Sequence, residues 1–210
     1  MRKAILVFAG LLLAAGLLHA QVPDISILQL KAPASFRAVF RTTKGEFIVE
    51  ANRSWSPAGV DRLYQLICSG FFSNCLLYRV EPRYVIQFGI ASTPWLNRFW
   101  DPKMIRDEPL RESNRKGYIS FAHMGANSRS TQLFINATDN VKLDTELRAG
   151  VKGFTPVARV TKGMDIVSGL YARYGRQPAV VQDSLYKYGN AWFEKKFPGL
   201  DRITGAYIIP

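Results

Sequence analysis

The chain has 210 residues and a mass of 23.6 kDa, with 48% hydrophobic and 21% charged residues. This excludes a disordered or collagen-like chain and leaves room for one good core or two small ones. The net charge of +12 would draw it toward anionic polymers or surfaces, but no block of five like charges occurs, so a solvated basic surface is favoured over a nucleic-acid or envelope-polymer binder.

Arg2 and Lys3, a charge-free run from Ala4 to Leu18, and small Ala20 before Gln21 have the layout of a secretory signal peptide over residues 1–20. The run is shorter than the roughly 20 residues a membrane-spanning helix prefers, and no cysteine sits at the cut. We therefore expect an exported protein, periplasmic or secreted, with no membrane anchor after cleavage. Removing Arg2 and Lys3 lowers the net charge from +12 to +10, and losing His19 leaves His123 as the only histidine. A histidine-rich metal site is thereby disfavoured, and a Cys/His pair on His123 is a weak alternative. In an oxidising compartment Cys68 and Cys75 are candidate disulfide partners if their alpha carbons lie within about 7 Å, with two buried thiols as the alternative.

Residues 21–34, with Pro23 and Pro33, read as a tether, and one domain spans 35–210. Alternation of Phe36, Ala38 and Phe40, a turn at Thr43–Gly45, and resumption at Phe47 and Val49 predict a hairpin. Ser56-Pro57 starts a helix whose stripe is Val60, Leu63, Tyr64 and Ile67, stopped at Gly70. Short strands follow at Leu76 to Val80, Val85 to Gly89, Tyr118 to His123, Gln132 to Asn136 and Val157 to Val160. A second helix carries Met164, Val167, Leu170, Tyr171 and Tyr174, a C-terminal helical extension covers about 181–200, and a strand closes at Ala206 to Ile209.

Motifs for nucleotide binding, zinc proteolysis and serine hydrolysis are missing from the sequence, and no carboxylate pair stands out. Two sequons, at Asn52 and Asn136, matter only in a glycosylating organism. Three stretches carry a specific signal: Leu77-Tyr78-Arg79-Val80-Glu81-Pro82-Arg83-Tyr84-Val85-Ile86-Gln87, Ser120-Phe121-Ala122-His123-Met124-Gly125-Ala126-Asn127, and Ser130-Thr131-Gln132-Leu133-Phe134-Ile135-Asn136. Together, and with Lys162-Gly163-Met164-Asp165-Ile166-Val167, they resemble the cyclophilin family of peptidyl-prolyl isomerases over about residues 36 to 174. The tail from Gln182 to Ile209 looks like that of exported bacterial cyclophilin-like proteins, a narrower match.

The resemblance implies a mainly β fold: a closed eight-stranded antiparallel barrel capped by two helices, here with the C-terminal helix and closing strand added. A barrel of that size is filled by side chains, so substrate lies in an outer groove. It also implies catalytic Arg79 and Gln87, an apolar cup of Tyr84, Val85, Phe134 and Leu143 for the proline ring, and peptide-binding groups at Ala122, His123 and Gln132. Partners would be proline-containing peptides or unfolded proteins, met by a monomer without cofactor or metal.

These residue types suit the reaction. Rotation about an X-Pro bond faces a barrier of roughly 18 to 20 kcal/mol from amide resonance and needs neither nucleophile nor proton transfer. Reaching milliseconds takes about 5 to 7 kcal/mol of selective stabilisation of the twisted amide. Twisting returns a lone pair to the proline nitrogen, and a fixed guanidinium such as Arg79 can donate to it. Singly, each of these residues would be ordinary packing or surface polarity; their joint order and spacing carry the reading.

Several positions depart from the family pattern. Tyr84 replaces phenylalanine, Val85 a longer side chain, Val157 a phenylalanine, and Phe88-Gly89-Ile90 stands where Gly-Gly-Asp is common. Lys142 takes the place of a tryptophan tied to cyclosporin binding, which implies weak sensitivity to that drug. The match breaks from Thr145 to Gly153, leaving a pocket histidine without counterpart. The alternative to an isomerase is a catalytically weak peptide-binding or chaperone module using the same groove.

Overall fold

Alternation builds the first hairpin. In the computed structural model, which describes residues 24–210, β1 (Ser35–Thr42) and β2 (Gly45–Asn52) pair antiparallel with Thr42 opposite Gly45. Phe36, Ala38, Phe40, Phe47, Val49 and Ala51 are buried while Arg37 and Arg41 face water. The signal-peptide reading of residues 1–20 lies outside the described residues, as do 21–23.

From Asp24 onward the expected tether is docked. A short 3-10 turn, Ile25–Gln29, leads to Ala32, whose N–H donates to Asp61. Gln65 donates to the carbonyls of Leu28 and Leu30. Both anchors stand on α1 (Pro57–Cys68), where Asp61 and Gln65 are buried under this segment and Arg62 is buried against Trp100 and the carbonyls of Lys103 and Ser130. Pro57 starts α1, and the Glu108 carboxylate accepts from the free N–H groups of Ala58 and Gly59.

Among the described residues, nine strands form one antiparallel sheet. After β3 (Cys75–Leu76), β4 (Arg79–Val80) and β5 (Val85–Phe88) comes α2 (Pro94–Trp100), which the sequence reading missed. Then come β6 (Tyr118–Phe121), β7 (Leu133–Asn136), a small hairpin of β8 (Leu147–Arg148) and β9 (Val151–Lys152), β10 (Pro156–Lys162) and α3 (Met164–Ser168). Helices α4 (Gln177–Val180), α5 (Gln182–Tyr188) and α6 (Asn190–Lys196) precede β11 (Arg202–Ile209).

The order across the sheet is β3-β11-β1-β2-β10-β6-β7-β5-β4. Its two edges, β3 and β4, are separated along the chain only by Leu77 and Tyr78, so the sheet must curl until they approach. The ladder differs from the expected closed ring of eight: it has nine strands and an open order. The run expected from Leu76 to Val80 is split because β3 pairs with β11 and β4 with β5, while Leu77 N–H donates to Asp201.

Period two divides this sheet between two jobs. Ile86, Phe88, Leu133 and Ile135 join the main core with Phe40, Phe47, Leu63, Phe71, Phe72 and Trp100. Their neighbours Val85 and Phe134 turn to the other face and form a separate cluster with Leu143 and Phe154. Likewise Cys75 and Leu77 enter the main core, whereas Leu76 and Tyr78 meet Leu185, Phe193, Phe197 and Leu200 of the C-terminal segment.

Two helices are shorter than their periodicity suggests. The second amphipathic run ends at Ser168, because Gly169 caps α3 and Asp201 captures the N–H of Tyr171. The extension is three short helices, broken at Gly189 with φ 70°. A Cβ there would lie 2.9 Å from the Ser92 carbonyl oxygen, so only glycine permits this approach.

Cys68 and Cys75 do not form the candidate bridge. Both are free thiols, Cys68 exposed at the end of α1 and Cys75 buried in the core, where desolvation pushes its thiol up to about 12. The Asn136 sequon is closed as well: this side chain is fully buried and donates to Asn114 and the Tyr118 carbonyl. Among the described residues no helix is long and apolar enough to cross a membrane.

Candidate active site

Strand register lays the polar half of the site in a row. Arg79 on β4 lies opposite Gln87 on β5, and Gln87 opposite Phe134 on β7. All the expected site residues line one cavity of about 330 Å³: Arg79, Tyr84, Val85, Gln87, Ala122, His123, Gln132, Phe134 and Leu143. Such a volume suits one small ring and its flanking backbone.

The guanidinium of Arg79 is held from two sides. Its Nε donates to Glu81 at 2.6 Å and its Nη1 to Gln87 Oε1 at 3.1 Å, with a side chain 21% exposed. Among the described residues Nη2 makes no hydrogen bond. Gln87 Nε2 donates onward to Gln132 Oε1 at 2.9 Å, and Gln132 Nε2 donates to the Tyr186 hydroxyl at 2.8 Å. Tyr78 donates its own hydroxyl hydrogen to Gln132 Oε1. Burial raises both phenols, Tyr78 well above its ordinary value, so they remain neutral donors and acceptors. This chain fixes the orientation of each amide and leaves Gln132 only one spare N–H.

The apolar cup contains one member the sequence reading lacked. Phe154 is 4% exposed, meets Phe134 edge-on at 5.5 Å and stacks on His123 at 4.4 Å. It stands directly after the stretch, Thr145 to Gly153, where the family pattern broke down. A buried polar network holds the cup from behind: Asn140 donates to the Tyr84 carbonyl and Asn114 to the Phe154 carbonyl, each at 2.8 Å. Tyr84 is half-buried, with the Arg79 guanidinium 5.3 Å and the Lys142 ammonium 5.4 Å from its ring centre. Lys142 thus meets the rim as a cation over an aromatic face. Val157 is fully buried in the main core, outside this cavity.

His123 is a wall residue. Its Nε2 lies 3.0 Å from the Gly153 carbonyl, and its ring is 5% exposed against Phe154. Gly153 supplies that carbonyl from φ 77°, where a Cβ would lie 2.6 Å from Asp144 O. Cys68 and Cys75 are absent from the cavity lining, so His123 has no thiol partner there. Ala122 N–H is committed to the Gln132 carbonyl at 2.9 Å.

The far wall was also missed. Arg176, Ala179, Val180 and Gln182, from the start of the C-terminal helical segment, face the same cavity. No motif marks them; the sequence sign was only the helical period carried by Leu185 and Trp192. Among the described residues no group of His, Cys, Asp and Glu is arranged to hold a metal.

A curled antiparallel sheet carrying an outer groove with this Arg-Gln-Phe row defines a class of protein. The family model for cyclophilin type peptidyl-prolyl cis-trans isomerase/CLD matches residues 37–184, and the chain belongs to that family. Peptidyl-prolyl cis-trans isomerase A of Dickeya dadantii (strain 3937) is 25% identical over 164 residues, covering 73% of this chain and 85% of the relative. Peptidyl-prolyl cis-trans isomerase B of Escherichia coli (strain K12) is 27% identical over 132 residues, covering 61% and 79%. A crystal structure of a Cryptosporidium parvum cyclophilin type isomerase superposes with a TM-score of 0.60 at 16% identity, over 84% of this chain and 98% of that one. The same Cryptosporidium protein, in the presence of the dipeptide Ala-Pro, gives a TM-score of 0.58.

Proposed function

We propose that this groove accelerates cis-trans rotation of X-Pro bonds in polypeptides. The observation that carries the reading is the Arg79 guanidinium: two of its nitrogens are clamped, and Nη2 is uncommitted beside an apolar cup. The proline ring enters the cup of Tyr84, Val85, Phe134, Leu143 and Phe154. The preceding residue lies along the Ala122 carbonyl and the spare N–H of Gln132. As the imide twists, Arg79 Nη2 donates to the pyramidal nitrogen more strongly than to the planar amide, and the amide row spares it reorganisation at that moment. The ring stays held while the acyl side turns.

In the same reading, Cys75–Val80 counts as one interrupted strand, which makes the sheet an eight-stranded barrel closed through Leu77 and Tyr78. Export rests on the N-terminal sequence; the mature protein then begins at Gln21 and acts as a monomer on proteins folding outside the cytoplasm. Mass spectrometry of the secreted or periplasmic form tests the cut, and a retained N-terminus would refute it.

The activity itself is tested by exchange NMR on an X-Pro peptide. Arg79→Ala should lose about a hundredfold in kcat/KM, the scale of removing one donor to a developing charge. A peptide bound without any rate gain by the unmodified protein would instead select the non-catalytic binding module.

A further inference from the structure

The cavity has two walls of different origin. One is the sheet with its apolar cup. The other is Arg176, Ala179, Val180 and Gln182, which belong to the helical segment between α3 and β11. Three bonds tie that segment to the rest of the fold, one of them to the groove itself: Gly175 accepts from the Val80 N–H at 3.3 Å, Asn190 donates to the Asn74 carbonyl at 2.7 Å, and Tyr186 accepts from the groove residue Gln132 at 2.8 Å. Leu185, Phe193 and Phe197 bury against Leu76, Tyr78 and Ile90. The second wall is therefore a fixed part of the groove.

The electrostatics of the cavity are one-sided. Arg79, Arg148 and Arg176 line it, and no Asp or Glu does. Arg79 is paired with Glu81 and Arg148 with Glu146, whereas Arg176 has no carboxylate within ion-pair distance among the described residues. The second wall's segment meets the Arg79-Gln87-Gln132 row through the Gln132–Tyr186 hydrogen bond. A residue flanking a proline seated in the cup therefore shares the cavity with Arg176 and the Gln182 amide.

We infer that the C-terminal helical segment forms a subsite for the residue beside the proline, in which Arg176 selects a carboxylate side chain, aspartate or glutamate. This rests on the isomerase reading of the groove. The gain is modest because Arg176 is exposed to solvent, as expected of a screened ion pair.

The test compares proline peptides that differ only by Glu or Gln, placed immediately before or immediately after the proline, using exchange NMR on the full chain. At one of the two positions Glu should exceed Gln by about threefold in kcat/KM at low salt, and the ratio should shrink as salt rises. Arg176→Gln should bring that ratio to one, and Arg176→Lys should preserve most of it. Equal rates for Glu and Gln at both positions, or a ratio that survives Arg176→Gln, would overturn the subsite. So would a ratio abolished by Arg148→Gln but kept in Arg176→Gln, which would place the selecting cation on the opposite wall. If neither peptide is accelerated, the isomerase reading fails by itself, and chemical-shift titration of the same peptides still measures whether binding prefers Glu through Arg176.

Discussion

At the scale of single residues, the site depends on how few options Arg79 has. Nε is held by Glu81 and Nη1 by Gln87, so Nη2 is the donor that remains for substrate. Lysine offers one point of charge and cannot keep Gln87 while reaching the imide nitrogen. Arg79→Lys should therefore approach the deficit of Arg79→Ala in kcat/KM, with thermal unfolding changed little because the Glu81 pair is partly solvated; near-full activity in the lysine variant would reject the fork argument. Phe154 makes the complementary case. Phe154→Leu should raise KM by about tenfold with a smaller effect on kcat, since it removes wall contact shared by ground and transition states. Arg79, Gln87, Gln132 and Phe134 were legible because their joint order and spacing in the sequence match the family pattern. Phe154 was not, because its place follows a small hairpin of β8 and β9 whose register no alternation announced.

At the scale of elements, the first hairpin was readable from its alternation and α1 from its apolar stripe, whereas β5 and β7, buried on both faces, showed only as short runs between turns. The C-terminal segment hid its role for a physical reason: Leu185 and Phe193 showed that it packs somewhere, but period alone cannot say against what. The break at Gly189 was equally silent until Ser92 was seen beside it. Packing on the outer face of β3 places the Tyr186 hydroxyl on Gln132, which makes α5 a positioning element for the amide row. Tyr186→Phe leaves a Gln132 N–H without its partner and loosens an amide then held only at Oε1, by Tyr78 and Gln87. We expect a several-fold fall in kcat with little change in KM, and a double-mutant cycle decides whether the effect passes through Gln132. In a Gln132→Ala background the Tyr186→Phe loss should vanish; additive losses would make the hydroxyl merely structural.

At the scale of the whole molecule, opposed carboxylates set how stability varies with pH. Burial alone would raise the Glu108 carboxyl, but hydrogen bonds from Ser56, Ala58 and Arg129 hold it below its ordinary value. Asp61, also partly desolvated, is lowered by Arg53, the Ala32 N–H and Lys31. Both stabilise the fold above the unfolded carboxylate range and lose that contribution as pH falls through their depressed values. Asp101, at the end of α2, has the opposite sign: desolvation lifts it from 3.8 to about 6. Its protonated form favours folding below pH 3.8, and that contribution is lost as pH rises through about 6. At neutral pH the folded state therefore bears a partly desolvated charge, which lowers its stability by less than the full shift implies because solvent screens it. Asp101→Asn should accordingly raise the thermal midpoint near pH 7.5, and the advantage should shrink through pH 6 and close below about pH 4. A benefit of equal size at pH 4 and pH 7.5 would show that the aspartate acts through shape or hydrogen bonding and not through its charge.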